Sequence, residues 1–398
     1  MIPDLALDGT RPARLWGALV VLCLVLFAAR PALAQAEFTI HARQAILLEA
    51  DTGAILFQHN ADELMVPASM SKLMTLELVF MALKSGQIKP EDEFHVSEGA
   101  WRRGGAPSGT AAMFLPIGTK ATIEELIQGM IVQSGNDAAI VAAEGLGGSE
   151  DNFAKLMTEE ARRLGLTKST FRNATGLYHP DHLMTARELA ELARYIIREY
   201  PDYYRIFSQR EFQYRKHKFY NRNPLLTSNI GVDGLKTGFL KESGYGIVAS
   251  AKQDNRRLIL VLNGLETAEE RKTEAIRFLE WGFKSFAEYK LFDAGEVVGS
   301  ARVWGGTRLF VPLGGKGEVQ VLLPRYQTNQ KLRGEIVYKG PLKPPISKGD
   351  QVATLRVTSS PSGVINEVPL YAAEDVPAGG FWRRGLDSLF YLAFRWIL

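Results

Sequence analysis

Pro67-Ala68-Ser69-Met70-Ser71-Lys72-Leu73-Met74-Thr75 sets a serine three residues ahead of a lysine, at the expected start of a helix. Residues i and i+3 lie on one helix face, so Ser69 Oγ and Lys72 Nζ should be neighbours. A helix N-terminus adds free N–H groups and the positive end of its dipole beside the serine. Taken alone, the pattern also fits a serine cap followed by a solvated lysine. Chance supplies such a match on the order of once in a chain of this length.

Outward from that stretch, the pattern is strands, a helical block, then strands again. Residues 38–59 read as a hairpin, with Ala45–Ala50 and Ala54–Gln58 on either side of the turn Asp51-Thr52-Gly53. Thr122-Ile123-Glu124-Glu125 is a capping box that opens a helix to about Val132. Ser149–Leu164 reads as a helix ended by Gly165, and Thr185–Glu199 as another. Tyr245–Ala251 and Leu258–Leu262 are β-rich, and Glu269–Ser285 is helical with Ile276, Leu279 and Phe283 on one face. An α+β domain, an antiparallel sheet with a helical cluster, fits this order. Beyond about residue 290, short β-rich runs (Val297–Trp304, Val319–Leu323, Gln351–Val357) separated by Gly/Pro clusters read as a small all-β domain.

Two more short motifs follow the first. Ser134-Gly135-Asn136 falls between two expected helices, where a loop would project its side chains. It also reads as a simple turn with a helix cap. Lys236-Thr237-Gly238 precedes an expected strand, where the glycine could let a ligand backbone approach a strand edge. Its plain reading is an edge lysine beside a bend. Serine is a weak nucleophile until a base takes its proton. No histidine lies inside the three motifs, so Lys72 is the available base. It must then be neutral, and both desolvation and a second cation, Lys236, push its pKa down.

Composition and the chain ends narrow the setting. The chain has 398 residues, enough for two or three domains, and a net charge of +3, too small for a nucleic-acid footprint. One cysteine, Cys23, excludes a disulfide scaffold and a cysteine-rich zinc site. No glycine-rich phosphate loop follows a strand, and no cofactor is expected. His179-Pro180-Asp181-His182 lacks the helical H-E-x-x-H pattern, so no metal is expected either. Arg102-Arg103 and Arg215–Lys218 read as solvated basic clusters. Arg11 and Arg14, the apolar run Leu15–Ala29 and Ala32-Leu33-Ala34 describe a secretory signal peptide over residues 1–34. At the other end, Phe381–Leu398 has arginines and aromatic residues at helical spacing, a pattern for an amphipathic helix lying in a membrane interface. The expected divisions are 1–34, 35–289, 290–377 and 378–398. Together the ends place the chain in the periplasm, attached to the outer face of the inner membrane by that helix.

The ordered set S-x-x-K, S-x-N, K-T-G resembles the penicillin-recognising serine acyl-transferases, namely penicillin-binding proteins and class A β-lactamases. The stretches Pro67–Thr75, Gln133–Ala138, Gly165–Leu177, Val232–Gly238 and Arg257–Gly282 are similar to the D-alanyl-D-alanine carboxypeptidases of the penicillin-binding protein 5/6 type. So are the all-β domain and the terminal helix. The resemblance implies release of the terminal D-Ala from peptidoglycan stem peptides ending in D-Ala-D-Ala, and acylation by β-lactams. It implies Ser69 as nucleophile, Lys72 as base, and Ser134 bonded to Lys72 as proton relay. Asn136 would orient Lys72 and meet the substrate backbone, and Lys236 would hold Ser134. Thr237 and Arg271 would bind the substrate's terminal carboxylate, with Gly238 completing the motif. The backbone N–H groups of Ser69 and Phe239 would form the oxyanion hole. Many relatives carry histidine where this chain has Phe239. A class A β-lactamase would want Glu-x-x-Leu-Asn, but the only Leu-Asn pair, Leu262-Asn263, has Ile259 in the glutamate's place. A DD-endopeptidase acting on crosslinks is a closer variant, and a wall-binding scaffold without turnover is the non-enzymatic reading.

Overall fold

A computed structural model describes residues 38–325 and 331–381. The expected signal peptide, and the terminal helix beyond Phe381, lie outside the described residues. The first hairpin forms as expected, from β1 (Gln44–Glu49) and β2 (Ile55–His59). The Glu49 carboxylate fixes its turn by accepting from the Asp51 and Thr52 N–H groups and the Thr52 hydroxyl.

The chain then leaves the sheet for the helical block. A 3₁₀ turn, Ala68–Ser71, leads into α1 (Lys72–Lys84). The capping box at Thr122 is present, but the helix is shorter than expected. Ile123–Gln128 is α-helical, and Gly129–Gln133 continues as a π-turn ending on Ser134, which has φ +64. α2 (Asn136–Gly147), α3 (Glu150–Arg163) and α4 (Ala186–Glu199) follow. Ser149 and Thr185 cap the last two by accepting N–H groups of their first turns, and Gly165 follows α3 at φ +83. The sequence did not mark two short hairpins, Glu93–His95 with Lys120–Thr122 and Glu211–Tyr214 with His217–Tyr220. Exposed Arg215 and Lys216 make the turn of the second.

The return to the sheet begins at β3 (Val232–Leu240), followed by β4 (Gly244–Gln253) and β5 (Arg256–Leu265). Pairing is antiparallel throughout, in the order β2-β1-β5-β4-β3, which leaves β3 at the edge. Every residue from Leu258 to Leu265 is buried. Neighbouring side chains of a strand point to opposite faces, so a strand buried at every position is covered on both. α4 and α5 (Ala268–Ser285) pack against it. Gly282 lets α5 approach closely, since a Cβ there would lie 2.6 Å from Leu47 Cδ2.

The remaining strands are β6 (Phe286–Phe292), β7 (Val297–Arg302), β8 (Phe310–Gly314), β9 (Val319–Pro324), β10 (Lys331–Val337), β11 (Gln351–Ser360) and β12 (Ile365–Ala372). They pair in the order β7-β8-β12-β11-β10, with β6 against β9. β6 runs through the division placed at 289/290. Buried Asn366 ties the two sets together: its amide donates to the Leu322 carbonyl and accepts from the Leu322 N–H. The α+β architecture with an all-β C-terminal part is as expected. Among the described residues no helix is long and apolar enough to cross a membrane.

α1 also carries a buried acid. Glu77 lies against Glu160 of α3, and Tyr200 donates its hydroxyl to Glu77 Oε1 at 3.1 Å. Burial first, then the Glu160 charge, push the Glu77 carboxyl up to about 8. Its Oε2 is buried with no hydrogen-bond partner, so no donor there favours the charged form. The folded protein thus holds a proton that the unfolded chain releases near 4.5, and stability falls as pH rises from there through about 8. Glu77→Gln should melt higher than the parent at about pH 9, with the gap shrinking toward about pH 5. Melting curves at the two pH values check this, and a pH-independent gap would refute it.

Candidate active site

The 3₁₀ turn at Ala68–Ser71 presents Ser69 half-buried at the rim of a cleft of about 860 Å³. Ala68, just before it, has φ +49, an uncommon conformation for a residue with a Cβ. Three glycines let this turn sit deep. A Cβ on Gly176 would lie 2.0 Å from the Ala68 carbonyl oxygen, one on Gly238 3.0 Å from the Pro67 carbonyl oxygen, and one on Gly246 2.5 Å from Met70 Cε. Gly238 therefore has a packing reason beside the ligand-approach reason expected from sequence: it admits the turn that bears Ser69.

Lys72 opens α1 and is fully buried. Its Nζ lies 3.1 Å from Ser69 Oγ, 2.6 Å from Asn136 Oδ1 and 2.5 Å from the Thr175 carbonyl oxygen. The expected bond to Ser134 is not made, because these three partners occupy all the positions around a tetrahedral amine. Burial chiefly, then the positive charge of Arg222, bring Lys72 down to about 7. Lys236 was the cation expected to act there. It is itself buried and pushed well down, first by desolvation and then by Lys72, Arg222 and Arg271.

Ser134 stands where the π-turn ends, and Lys236 donates to its Oγ at 2.9 Å. Asn136, the first residue of α2, accepts from Lys72 and donates to Thr110 Oγ1 at 2.9 Å. Asp137 beside it faces away from the cleft, accepting from the Met113 and Leu115 N–H groups. Lys236, Thr237, Gly238 and Phe239 follow one another on edge strand β3, and Thr237, Gly238 and Phe239 line the cleft. Arg271, in the first turn of α5, lines it as well. Thus all nine residues singled out in the sequence converge on one cleft or directly behind it.

Sequence reasoning missed several contributors. Thr175 acts through its backbone carbonyl, which no side-chain pattern reveals. Its loop is held by Asn173, whose Oδ1 accepts from the Thr175 N–H, the Thr175 hydroxyl and the Gly176 N–H. The Asn173-Ala174-Thr175 sequence matches a glycosylation acceptor and in fact encodes this turn. Arg222 and Tyr245 line the cleft and carried no motif. His179 and His182 stay apart from the chemistry: their Nδ1 atoms accept the backbone N–H groups of Asp181 and Arg172.

Of the cleft-lining residues only Glu242 bears a carboxylate. Ile259 is buried in β5, so a β-lactamase-type glutamate has no counterpart there. The cleft thus offers a hydroxyl against an amine brought down to about 7, a second hydroxyl against a buried lysine, and cations on its walls. This can run acyl transfer on a substrate with a negative end.

The family model for D-alanyl-D-alanine carboxypeptidase, peptidase S11, matches residues 30–267. The model for the penicillin-binding protein 5 C-terminal domain matches residues 286–378. The D-alanyl-D-alanine carboxypeptidase DacC of Escherichia coli is 37% identical over 360 residues, covering 90% of each chain. Penicillin-binding protein 5 from Haemophilus influenzae superposes with a TM-score of 0.71 at 35% identity, over 85% of this chain and 98% of that one. Penicillin-binding protein D2 from Listeria monocytogenes, solved in an ampicillin-bound form, gives a TM-score of 0.54 at 30% identity, over 63% of this chain and all of that one. The chain belongs to the peptidase S11 family and is a serine hydrolase of the D-alanyl-D-alanine carboxypeptidase type.

Proposed function

We propose that Ser69 attacks the carbonyl of the penultimate D-Ala of a peptidoglycan stem peptide, with Lys72 as its base. The arrangement around Lys72 Nζ carries this reading. A neutral amine has two N–H bonds and one lone pair. Two of its three neighbours, Asn136 Oδ1 and the Thr175 carbonyl oxygen, can only accept. The two N–H bonds go to them, and the lone pair faces the Ser69 hydroxyl 3.1 Å away.

Ser69 Oγ bonds to the carbonyl carbon as its proton passes to Lys72. The tetrahedral oxyanion lies toward the Ser69 and Phe239 N–H groups. Collapse breaks the peptide bond, and terminal D-Ala leaves with a proton from Ser134, which Lys236 holds. Once Ser69 is an ester it no longer donates to Lys72, so the protonated amine can turn to Ser134 and restore that proton. Water then attacks the ester and gives a proton to Lys72; collapse breaks the bond between Ser69 Oγ and the acyl carbon, and Lys72 returns that proton to Oγ. Among the described residues the one side chain hydrogen-bonded to Ser69 Oγ is Lys72, and the cleft's carboxylate, Glu242, is exposed. Thr237 and Arg271 receive the substrate's terminal carboxylate, and Asn136 meets its backbone. β-Lactams follow the same first step, as the ampicillin-bound relative suggests.

Around this centre we assign residues 1–34 as a signal peptide, 35–289 as the catalytic domain and 290–377 as the all-β domain, joined through the strand that starts at Phe286. Residues 378–398 form the amphipathic membrane contact. The enzyme then works in the periplasm, held on the outer face of the inner membrane. Support comes from the sequence patterns at the two ends.

Incubation of the parent protein with benzylpenicillin should add the mass of one intact drug molecule. Ser69→Ala should show no adduct and lose D-Ala release by at least about a thousandfold. Full activity in that variant would sink the catalytic assignment. The acylation rate should climb with pH to a midpoint near 7, where Lys72 becomes neutral. Arg222→Gln removes a charge that disfavours the ammonium form, so the midpoint should move to higher pH. A midpoint that stays put or falls contradicts the role given to Lys72. A chain ending at Pro377, with the signal peptide removed, should stay in the supernatant when membranes are pelleted; pelleting would refute the terminal anchor.

A further inference from the structure

Arg271 is held unusually for a cation. It lies in the first turn of α5, next to the positive end of the helix dipole. Its Nε is buried without a hydrogen-bond partner, and among the described residues no ion pair includes it. Neighbouring Glu270 is engaged elsewhere, with His41 and the Glu266 N–H. Arg271 instead meets an aromatic face: the guanidinium carbon lies 5.5 Å from the Tyr245 ring centroid. Tyr245 in turn packs against Phe239, ring centroids 4.2 Å apart and planes tilted by 31°, and the two face each other across the β3–β4 pairing. All three side chains line the cleft.

A guanidinium with no acid partner would wander or turn to solvent unless something else fixed its plane. A π face does that without neutralising the charge, which an ion pair would do. The ring leaves the N–H edges of the guanidinium open for a planar, two-point contact with a carboxylate.

We infer that Tyr245, buttressed by Phe239, is a positioning residue: its ring fixes the Arg271 guanidinium and so sets the enzyme's preference for substrates that end in a free carboxylate. This rests on the reading of Arg271 as the carboxylate-binding residue. Tyr245 acts through Arg271, so its removal should be felt as weaker capture of the carboxylate rather than as slower chemistry at Ser69.

The test uses the full chain and two substrates, an acylated tripeptide ending in D-Ala-D-Ala and the same peptide as its C-terminal amide. The readout is the ratio of kcat/KM for acid over amide. Arg271→Gln should collapse the ratio. Tyr245→Leu should lower it about tenfold, the size of a partly desolvated cation–π contact, chiefly by raising KM for the acid. Tyr245→Phe keeps the ring face and should stay near the parent. The double variant Tyr245→Leu/Arg271→Gln should be no worse than Arg271→Gln, because the two residues form one device. Retained turnover of the amide shows that the variant's active site is folded. Should Tyr245→Leu be inactive on both substrates, Phe239→Leu, which removes only the buttress, must lower the ratio in the same direction. An unchanged ratio in Arg271→Gln overturns the carboxylate reading and this inference with it. A collapsed ratio in Arg271→Gln, but not in Tyr245→Leu, overturns the platform alone. Additive effects in the double variant would also overturn it, by making Tyr245 an independent substrate contact.

Discussion

Among the described residues two lysine side chains reach the protein interior with no carboxylate hydrogen-bonded to either, and the active site is built around that fact. A buried ammonium without a counter-ion costs several kcal/mol, so it gives up its proton more readily than in water. What the fold must supply is then acceptors for the remaining N–H bonds. Lys72 finds Asn136 and the Thr175 carbonyl, and Lys236 finds Ser134 and the Thr237 carbonyl. A carboxylate in place of any of these would restore the charge and leave the amine without a free lone pair. Asp137 and Glu150 lie close enough to favour the charged form of Lys72, but their oxygens are taken by backbone N–H groups and by Arg103.

The sheet and helices matter to this chemistry as carriers of fixed distances. Ser69 and Lys72 come from one turn, Asn136 from the start of α2, Thr175 from a loop pinned by Asn173, and Lys236 from the edge of the sheet. The turn that bears Ser69 is wedged against Gly176 and Gly238, where a methyl group would meet its backbone, and against Gly246, where one would meet the end of the Met70 side chain. The centre is therefore rigid through packing against backbone, which suits groups that must sit within hydrogen-bond reach before substrate arrives.

The part of the site that lies within one turn was open to reading from sequence. An i, i+3 spacing at a helix start fixes Ser69 beside Lys72 whatever the rest of the chain does. Contacts across 64 residues, as between Lys72 and Asn136, or 102, as between Lys236 and Ser134, follow from the fold, and only the resemblance of the three motifs together pointed to them. Thr175 was hidden because a backbone carbonyl has no residue-type signature. Arg222 lies in a stretch with no clear periodicity. In the β-rich part, β8 and β12 escaped notice for a physical reason: Pro312 and Pro369 lie inside them, and proline argues against a strand unless the strand can spare a donor there. The α+β order of the catalytic part was legible because its helices carry strong caps at Thr122, Ser149 and Thr185, and its central strands are long apolar runs.

Phe239 shows how closely the cleft's charges are balanced. Arg222, Lys241 and Arg271 line it, and Lys72 and Lys236 stand behind. An imidazole at position 239 would titrate near neutrality and, when protonated, would add one more cation beside two lysines that already repel positive charge. A phenyl ring contributes no proton equilibrium. It packs against Tyr245 with the ring planes tilted by 31°, keeps the backbone N–H of residue 239, and adds an apolar surface that is 49% exposed to the cleft. The departure from histidine thus exchanges a titrating contact for a packing contact. Lys72, brought down to about 7, keeps its proton balance near neutrality without help from a neighbouring imidazole.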